Sequence, residues 1–154
     1  MADRIADVQV RPFEPADQTA TRRLILEGLG EHFGFIDETV NPDLDDIYSN
    51  YVSPGHTFLV AVSGEQIVGA VTLLAENETV GRLARMSVSL AWRRQGIATA
   101  LVGHLIAAAQ ERNFSRMVLA VQVPWIEAIG FYESCGFVEY ARDEVDVHME
   151  LRLV

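Results

Sequence analysis

The sequence predicts an α/β (α+β) fold, with a mixed, mostly antiparallel central sheet of about six to seven strands flanked by about four helices. Three observations predict it. Strand-like runs at 57–62, 66–74 and 80–89 follow one another across short polar turns, the spacing of an antiparallel meander. A long segment, 94–112, carries Ile97, Leu101, Leu105 and Ala108 at helical spacing and leads into an apolar run at 116–123. A further helical stretch, 125–135, then precedes two closing strand-like runs, 137–141 and 145–153. A meander, a crossover helix, a strand, a helix and a hairpin together call for a mixed sheet.

The remaining elements are read in chain order. Val8-Gln9-Val10-Arg11 alternates and reads as a first strand. Pro15 suits the first turn of a helix, where its missing N–H costs nothing. That helix is expected to run to about Leu29 and to stop at Gly30. The segment from Glu31 to Asn50 holds Gly34, Pro42 and six acidic residues, and reads as a loop followed by a short helix from about Pro42 to Tyr51. Pro54-Gly55, Ser63-Gly64 and Glu76-Asn77-Glu78 mark turns. Asn113 ends the long helix and Gly136 the last one.

Length and composition place the chain in a class. With 154 residues, residues 1–154 are expected to form a single domain. A domain near this size buries about 70% of its unfolded surface, enough for a core without staples. A hydrophobic fraction of 49% and a charged fraction of 22% are those of a globular protein. The net charge of −10 disfavours nucleic acid and membrane as partners and would draw a cationic small molecule, with plain solubility as the other reading. No apolar run reaches the roughly 20 residues of a spanning helix. The N-terminus lacks a basic region followed by an apolar core. Cys135 stands alone, which excludes an internal disulfide. A cytoplasmic location is the resulting expectation. The four histidines form no ligand set of recognised spacing, so no metal is expected.

The most informative segment is Val88-Ser-Leu-Ala-Trp-Arg-Arg-Gln-Gly-Ile-Ala-Thr99, between a strand and the long helix. The first N–H groups of a helix have no internal partner and, with the helix dipole, form an anion site. Gly96 and Ala98 are small enough for a ligand to come close to the backbone. Arg93 and Arg94 present fork-shaped donors suited to phosphate oxygens, and Thr99 adds a hydroxyl. The residues alone point to phosphate or pyrophosphate here, with a solvated glycine turn as the other reading. Two familiar phosphate motifs do not fit. The P-loop needs a lysine, which the chain lacks throughout, and the dinucleotide Gly-x-Gly-x-x-Gly is absent.

Arg93-Arg94-Gln95-Gly96-Ile97-Ala98 resembles the coenzyme-A signature Gln/Arg-x-x-Gly-x-Gly/Ala of the GNAT acetyltransferase superfamily. Ala128-Ile-Gly-Phe-Tyr-Glu-Ser-Cys-Gly-Phe137 resembles the same family's Ala-x-x-Phe-Tyr-x-x-x-Gly-Phe segment. The element order matches from Thr57 to Val154, and also for the first strand and helix. Residues 31–54 match least, a region that varies with substrate in this family. Many members have Asn three residues before the alanine, where this chain has Trp125.

The resemblance implies an N-acetyltransferase that moves an acetyl group from acetyl-CoA, as co-substrate, to a primary amine of a small molecule in a ternary complex. Met86, Ser87 and Val88 would offer backbone to the pantetheine arm at a bulge where the strand splays from its neighbour. Arg93, Arg94, Gln95, Gly96, Ile97, Ala98 and Thr99 would hold the pyrophosphate, with Phe131 and Tyr132 beside the cofactor. A backbone N–H near Val88 would polarise the thioester carbonyl. Tyr132 matches the family's general acid, and a phenol with a pKa of about 10 keeps its proton at neutral pH. Its other reading is a core aromatic. Glu31 is the candidate base, with His32 beside it; surface loop residues are their other reading. His104, His56 and His148 read as packing or strand-end residues, and Cys135 as a small packed hydrophobe, not an acyl-accepting thiol. Acceptor specificity is expected from residues 31–51 and the last hairpin. There, Phe33, Phe35, Tyr48 and Tyr51 would wall a pocket or pack the helices. A protein or peptide N-acetyltransferase and a non-catalytic acyl-CoA sensor are the alternatives. Members of the family often dimerise, which leaves a homodimer open.

Overall fold

The structure is a computed structural model that describes residues 7–33 and 41–153, the side chains of His32 and Phe33 excepted. Met1-Ala2-Asp3-Arg4 at the N-terminus, and Gly34, Phe35, Asp37 and Glu38 of the expected loop, lie outside the described residues.

Among the described residues, seven strands form one sheet: β1 (Val8–Pro12), β2 (Thr57–Ser63), β3 (Gln66–Ala75), β4 (Val80–Val88), β5 (Arg116–Gln122), β6 (Val138–Arg142) and β7 (Asp146–Arg152). Their order is β1-β2-β3-β4-β5-β7-β6. Every pairing is antiparallel except β4 with β5. The α-helices are α1 (Gln18–Phe33), α2 (Ile97–Glu111) and α3 (Ile126–Ser134), with short 3-10 helices at Pro15–Asp17, Pro42–Asp46 and Leu90–Trp92 and a π-helical turn at Tyr48–Val52. The fold is the expected mixed sheet, with helices on both faces.

Two apolar layers cover the sheet. On β2, Leu59 and Ala61 face one layer, with Ile97, Leu101 and Leu105 of α2 and Tyr132 of α3. Phe58 and Val60 face the other, with Leu24, Ile25 and Leu26 of α1 and Leu44, Ile47 and Tyr51 of the 42–52 segment. Alternate residues of a strand point to opposite faces, so a central strand buried on both sides reads as a continuous apolar run.

Two helix boundaries differ from expectation. Helix α1 does not stop at Gly30 but continues to Phe33. It places Glu31 and His32 inside the helix rather than after it. Glycine inside a helix costs about 1 kcal/mol; the packing of Leu24, Ile25 and Leu26 in the core offsets it. Helix α2 starts at Ile97, not Arg94, because Arg94 (φ 60°) and Gly96 (φ 89°) are left-handed and break the helical run.

Candidate active site

The site is built around the one parallel pair in the sheet. β4 and β5 pair only at Val80↔Arg116, Gly81↔Met117 and Arg82↔Val118. Beyond that point β4 stays with β3, whereas β5 pairs with β7 along its whole length. The two strands therefore diverge, and residues 83–88 of β4 face a gap.

A bulge sits on the same stretch. Ala70 pairs with Ser87 and Thr72 with Ala84, so Val71 faces two residues, Arg85 and Met86. Arg85 carries the extra residue's strain in a left-handed backbone, φ 56°. Its guanidinium grips the Asp43 carboxylate, Nη2 to Oδ1 at 2.7 Å and Nε to Oδ2 at 3.1 Å, and donates to Asn41 at 3.1 Å. The Tyr51 hydroxyl also donates to Asp43. Burial, followed by the Asp43 contact, pushes the Tyr51 phenol up from its ordinary range. This cluster ties the 42–52 segment to the bulge. It was not singled out in the sequence, where an arginine within Leu83-Ala-Arg-Met-Ser-Val is the signal that marks it.

The bulge sets the direction of the strand end. The Ser89 N–H donates to Val68 C=O at 2.9 Å, toward β3. Successive N–H groups of a strand point opposite ways, so the Val88 N–H is directed into the gap. The Val88 C=O accepts from Arg93 Nε at 3.0 Å.

Two pockets meet at this point. The first, about 230 Å³, lies at the N-terminus of α2 and is lined by Val88, Trp92, Arg93, Arg94, Gly96, Ile97, Ala98, Thr99 and Phe131. The Ala100 N–H is the first to find a helix carbonyl, that of Gly96 at 3.0 Å. The helix supplies no partner for the N–H groups of Ile97, Ala98 and Thr99, which suits this end to an anion. The second pocket, about 400 Å³, is lined by Leu24, Glu27, Gly28 and Glu31 of α1 and by Val88, Ser89, Leu90, Ala91 and Arg93. Among the described residues, only Val88 and Arg93 line both.

The residues expected from the sequence distribute as follows. Val88, Arg93, Arg94, Gly96, Ile97, Ala98, Thr99 and Phe131 come together around the smaller pocket. Ile97 contributes backbone, since its side chain is buried in the core. Gln95 turns away and donates to Ala91 C=O at 3.2 Å. Arg94 is 89% exposed and lies 3.8 Å from Glu127, itself 94% exposed. Met86 packs against the α2-side core, and Ser87 lies close to Gly28 of α1, on the opposite face. Tyr132 is buried at 7% exposure, between Phe131 and Phe137 with ring centroids 5.2 and 5.8 Å away, and lines neither pocket. Met86 and Val88 pack against the core layer it belongs to. Burial pushes its phenol far above the ordinary value of 10.0. Glu31 lines the larger pocket, and both its oxygens accept from Arg93, Oε1 at 3.0 Å from Nη2. Glu27, one helical turn earlier, shares that pocket and was missed, although its i,i+4 spacing to Glu31 places both on one face.

The other candidates lie apart. His104 faces solvent and contacts Ala100 C=O at 2.9 Å, and His56 Nδ1 accepts from the Ala75 N–H at 3.0 Å. His148 sits with Asp143 and Asp146 near the end hairpin, where Asp143 caps the backbone N–H groups of Val145 and Asp146 at 2.8 Å each. Among the described residues, no helix is long and apolar enough to cross a membrane.

Comparison with known proteins agrees with this geometry. The profile of the Acetyltransferase (GNAT) family matches residues 13–137. N-acetyltransferase 8B of Homo sapiens is 35% identical over 109 residues, 67% of this chain and 48% of that protein. N-acetylaspartate synthetase of Danio rerio is 37% identical over 105 residues, 67% of this chain and 37% of that protein. The chain thus spans about half or less of the length of these relatives. Among solved structures, an acetyltransferase of GNAT family from Staphylococcus aureus Mu50 superposes with a TM-score of 0.86 at 24% identity, over 96% of this chain and 99% of that one. PaiA N-acetyltransferase from Thermoplasma acidophilum, solved with coenzyme A, gives 0.83 at 16% identity over 94% and 98%. With the family profile spanning most of the chain and the splayed β4–β5 pair at the heart of the fold, this protein belongs to the acetyltransferase (GNAT) family.

Proposed function

We propose that the chain is an N-acetyltransferase that moves an acetyl group from acetyl-CoA to a primary amine of a small molecule by direct attack in a ternary complex. The observation that carries this reading is the pair of pockets on opposite sides of β4, joined at Val88. The smaller suits the cofactor: pyrophosphate against the N–H groups at the start of α2, pantetheine along Met86, Ser87 and Val88 in the β4–β5 gap. The larger suits the amine. Its volume of about 400 Å³ is that of a small-molecule site, which favours a small acceptor over a folded protein chain. The spermidine N-acetyltransferase from Vibrio cholerae, a fold relative at TM-score 0.77, was solved with CoA and spermine, a small amine.

In this reading the amine nitrogen attacks the thioester carbon, and the Val88 N–H stabilises the developing oxyanion. The C–S bond breaks as the tetrahedral intermediate collapses. The amine proton leaves toward Glu31, directly or through one water. Tyr132 supports the departing sulfur from the core side. A phenol held above its usual range parts with its proton reluctantly, so its contribution is a hydrogen bond to the sulfur more than full transfer. Glu27 and Glu31 favour a cationic acceptor. A single cysteine suits a reducing compartment, so the cytoplasm is the proposed location.

Thermal unfolding with and without acetyl-CoA tests the cofactor assignment. At about 100-fold over Kd, linkage adds about 2.7 kcal/mol, which raises the midpoint by about 5–10 °C. No rise at saturating acetyl-CoA sinks the assignment. A panel of polyamines, amino acids, aminoglycosides and peptides, read by mass increase, then separates small-molecule from peptide acceptors.

A further inference from the structure

We infer that Arg93 exchanges partners between the two pockets: the cofactor's pyrophosphate takes its guanidinium from Glu31 and so frees the Glu31 carboxylate to face the amine. This rests on the assignment of the smaller pocket to the cofactor. Arg93 lines both pockets, and its Nε is anchored on the Val88 carbonyl between them. Its two Nη groups are both engaged by Glu31, across 62 residues of chain, from the last turn of α1. The pair is a third exposed on each side, 37% and 38%, so it is open to competition from solvent and ligand. Arg94, by contrast, projects into solvent, 3.8 Å from Glu127.

The charges decide the direction of exchange. A pyrophosphate carries more negative charge than one carboxylate, and the N–H groups of α2 hold it on the side where Arg93 already borders the pocket. The Nε anchor keeps the guanidinium beside Val88 while its Nη groups change partner. Glu31 then loses the cation that occupied both its oxygens, and it stands with Glu27 on the larger pocket's wall. The consequence is ordered binding: the amine's carboxylate partner becomes available only once the cofactor is seated.

Calorimetric titration of coenzyme A into the full chain at low salt tests this, with Glu31→Gln, Arg93→Ala and the double variant. Gln cannot compete as an anion, so Glu31→Gln should bind coenzyme A about two- to fivefold tighter than the parent, the range of an exposed ion pair. The gain should vanish in the Arg93→Ala background. The Arg93 Nε–H resonance, assigned by its loss in Arg93→Ala, should also move when coenzyme A is added to the parent. If the parent binds coenzyme A but Glu31→Gln binds equally or more weakly, or the resonance stays fixed, the exchange is overturned and the cofactor assignment stands. If the parent binds no coenzyme A, the assignment beneath it fails as well.

Discussion

Arg85 and Asp43 lie 42 residues apart in the chain and meet in a two-pronged ion pair at the β4 bulge, Nη2 to Oδ1 at 2.7 Å and Nε to Oδ2 at 3.1 Å. The arginine holds a left-handed backbone, φ 56°, a conformation that costs a non-glycine residue about 1–2 kcal/mol. The pair is partly buried, with side chains 21% and 32% exposed, and Tyr51 donates to the same carboxylate. The contact therefore holds in place the bulge from which the Val88 N–H takes its direction.

Asp43→Ala should accordingly act on both stability and chemistry. Losing charge-assisted hydrogen bonds of this kind costs about 1.5–3 kcal/mol. Urea unfolding should show that loss. Once an acceptor is in hand, kcat should fall more than KM rises, because the Val88 N–H proposed to hold the oxyanion moves. A variant with full stability and unchanged kcat would make Asp43 an ordinary surface acid.

Gly81 stands opposite Met117 in the short stretch where β4 and β5 are still together, one residue before they part. A Cβ there would come within 2.6 Å of Leu73 Cδ1 and 2.9 Å of the Phe114 ring. Gly81→Ala should cost about 1–3 kcal/mol by overpacking, read as a lower urea midpoint at constant slope. A neutral result would mean that Leu73 and Phe114 can rearrange without loss.

How much of this was legible before the structure depends on the range of the interaction involved. The strands and helices announced themselves because period-2 and period-3.6 patterns are local: Thr57–Val62 was expected and Thr57–Ser63 is found. The loop proposed to hold the pyrophosphate stood out for the same reason, since Gly96 and its neighbours sit in one continuous segment. Helix α1 overran its expected end because burial of Leu24, Ile25 and Leu26 outweighs two glycines, a balance that tertiary packing decides. The Arg85–Asp43 and Arg93–Glu31 pairs were not legible as pairs. Each joins segments far apart in the chain, and only the fold brings them together.

Cys135 offers a check on the route of transfer. Burial pushes its thiol above the ordinary value of 9.0, so the thiolate needed for nucleophilic attack is scarce at neutral pH. Cys135→Ala should keep its kcat, and intact-mass measurement after incubation with acetyl-CoA alone should show no acetyl adduct on the parent. A stable 1:1 adduct lost in Cys135→Ala would replace direct transfer with a covalent route.

Tyr132→Phe bears most directly on the chemistry, because it removes one oxygen and leaves the ring between Phe131 and Phe137. Coenzyme A affinity and unfolding midpoint should hold while kcat falls by about 10²-fold, the lower end for loss of an acid, since a reluctant phenol stabilises by hydrogen bonding. The pH profile sharpens the test. Burial raises this phenol above 10.0, so the protonated form persists as pH rises through that value. The parent's kcat should therefore show no alkaline fall from Tyr132 at the ordinary tyrosine pKa. If such a fall does appear near pH 10 and Tyr132→Phe abolishes it, the phenol titrates normally, which requires it to be far better solvated than its place in the core allows.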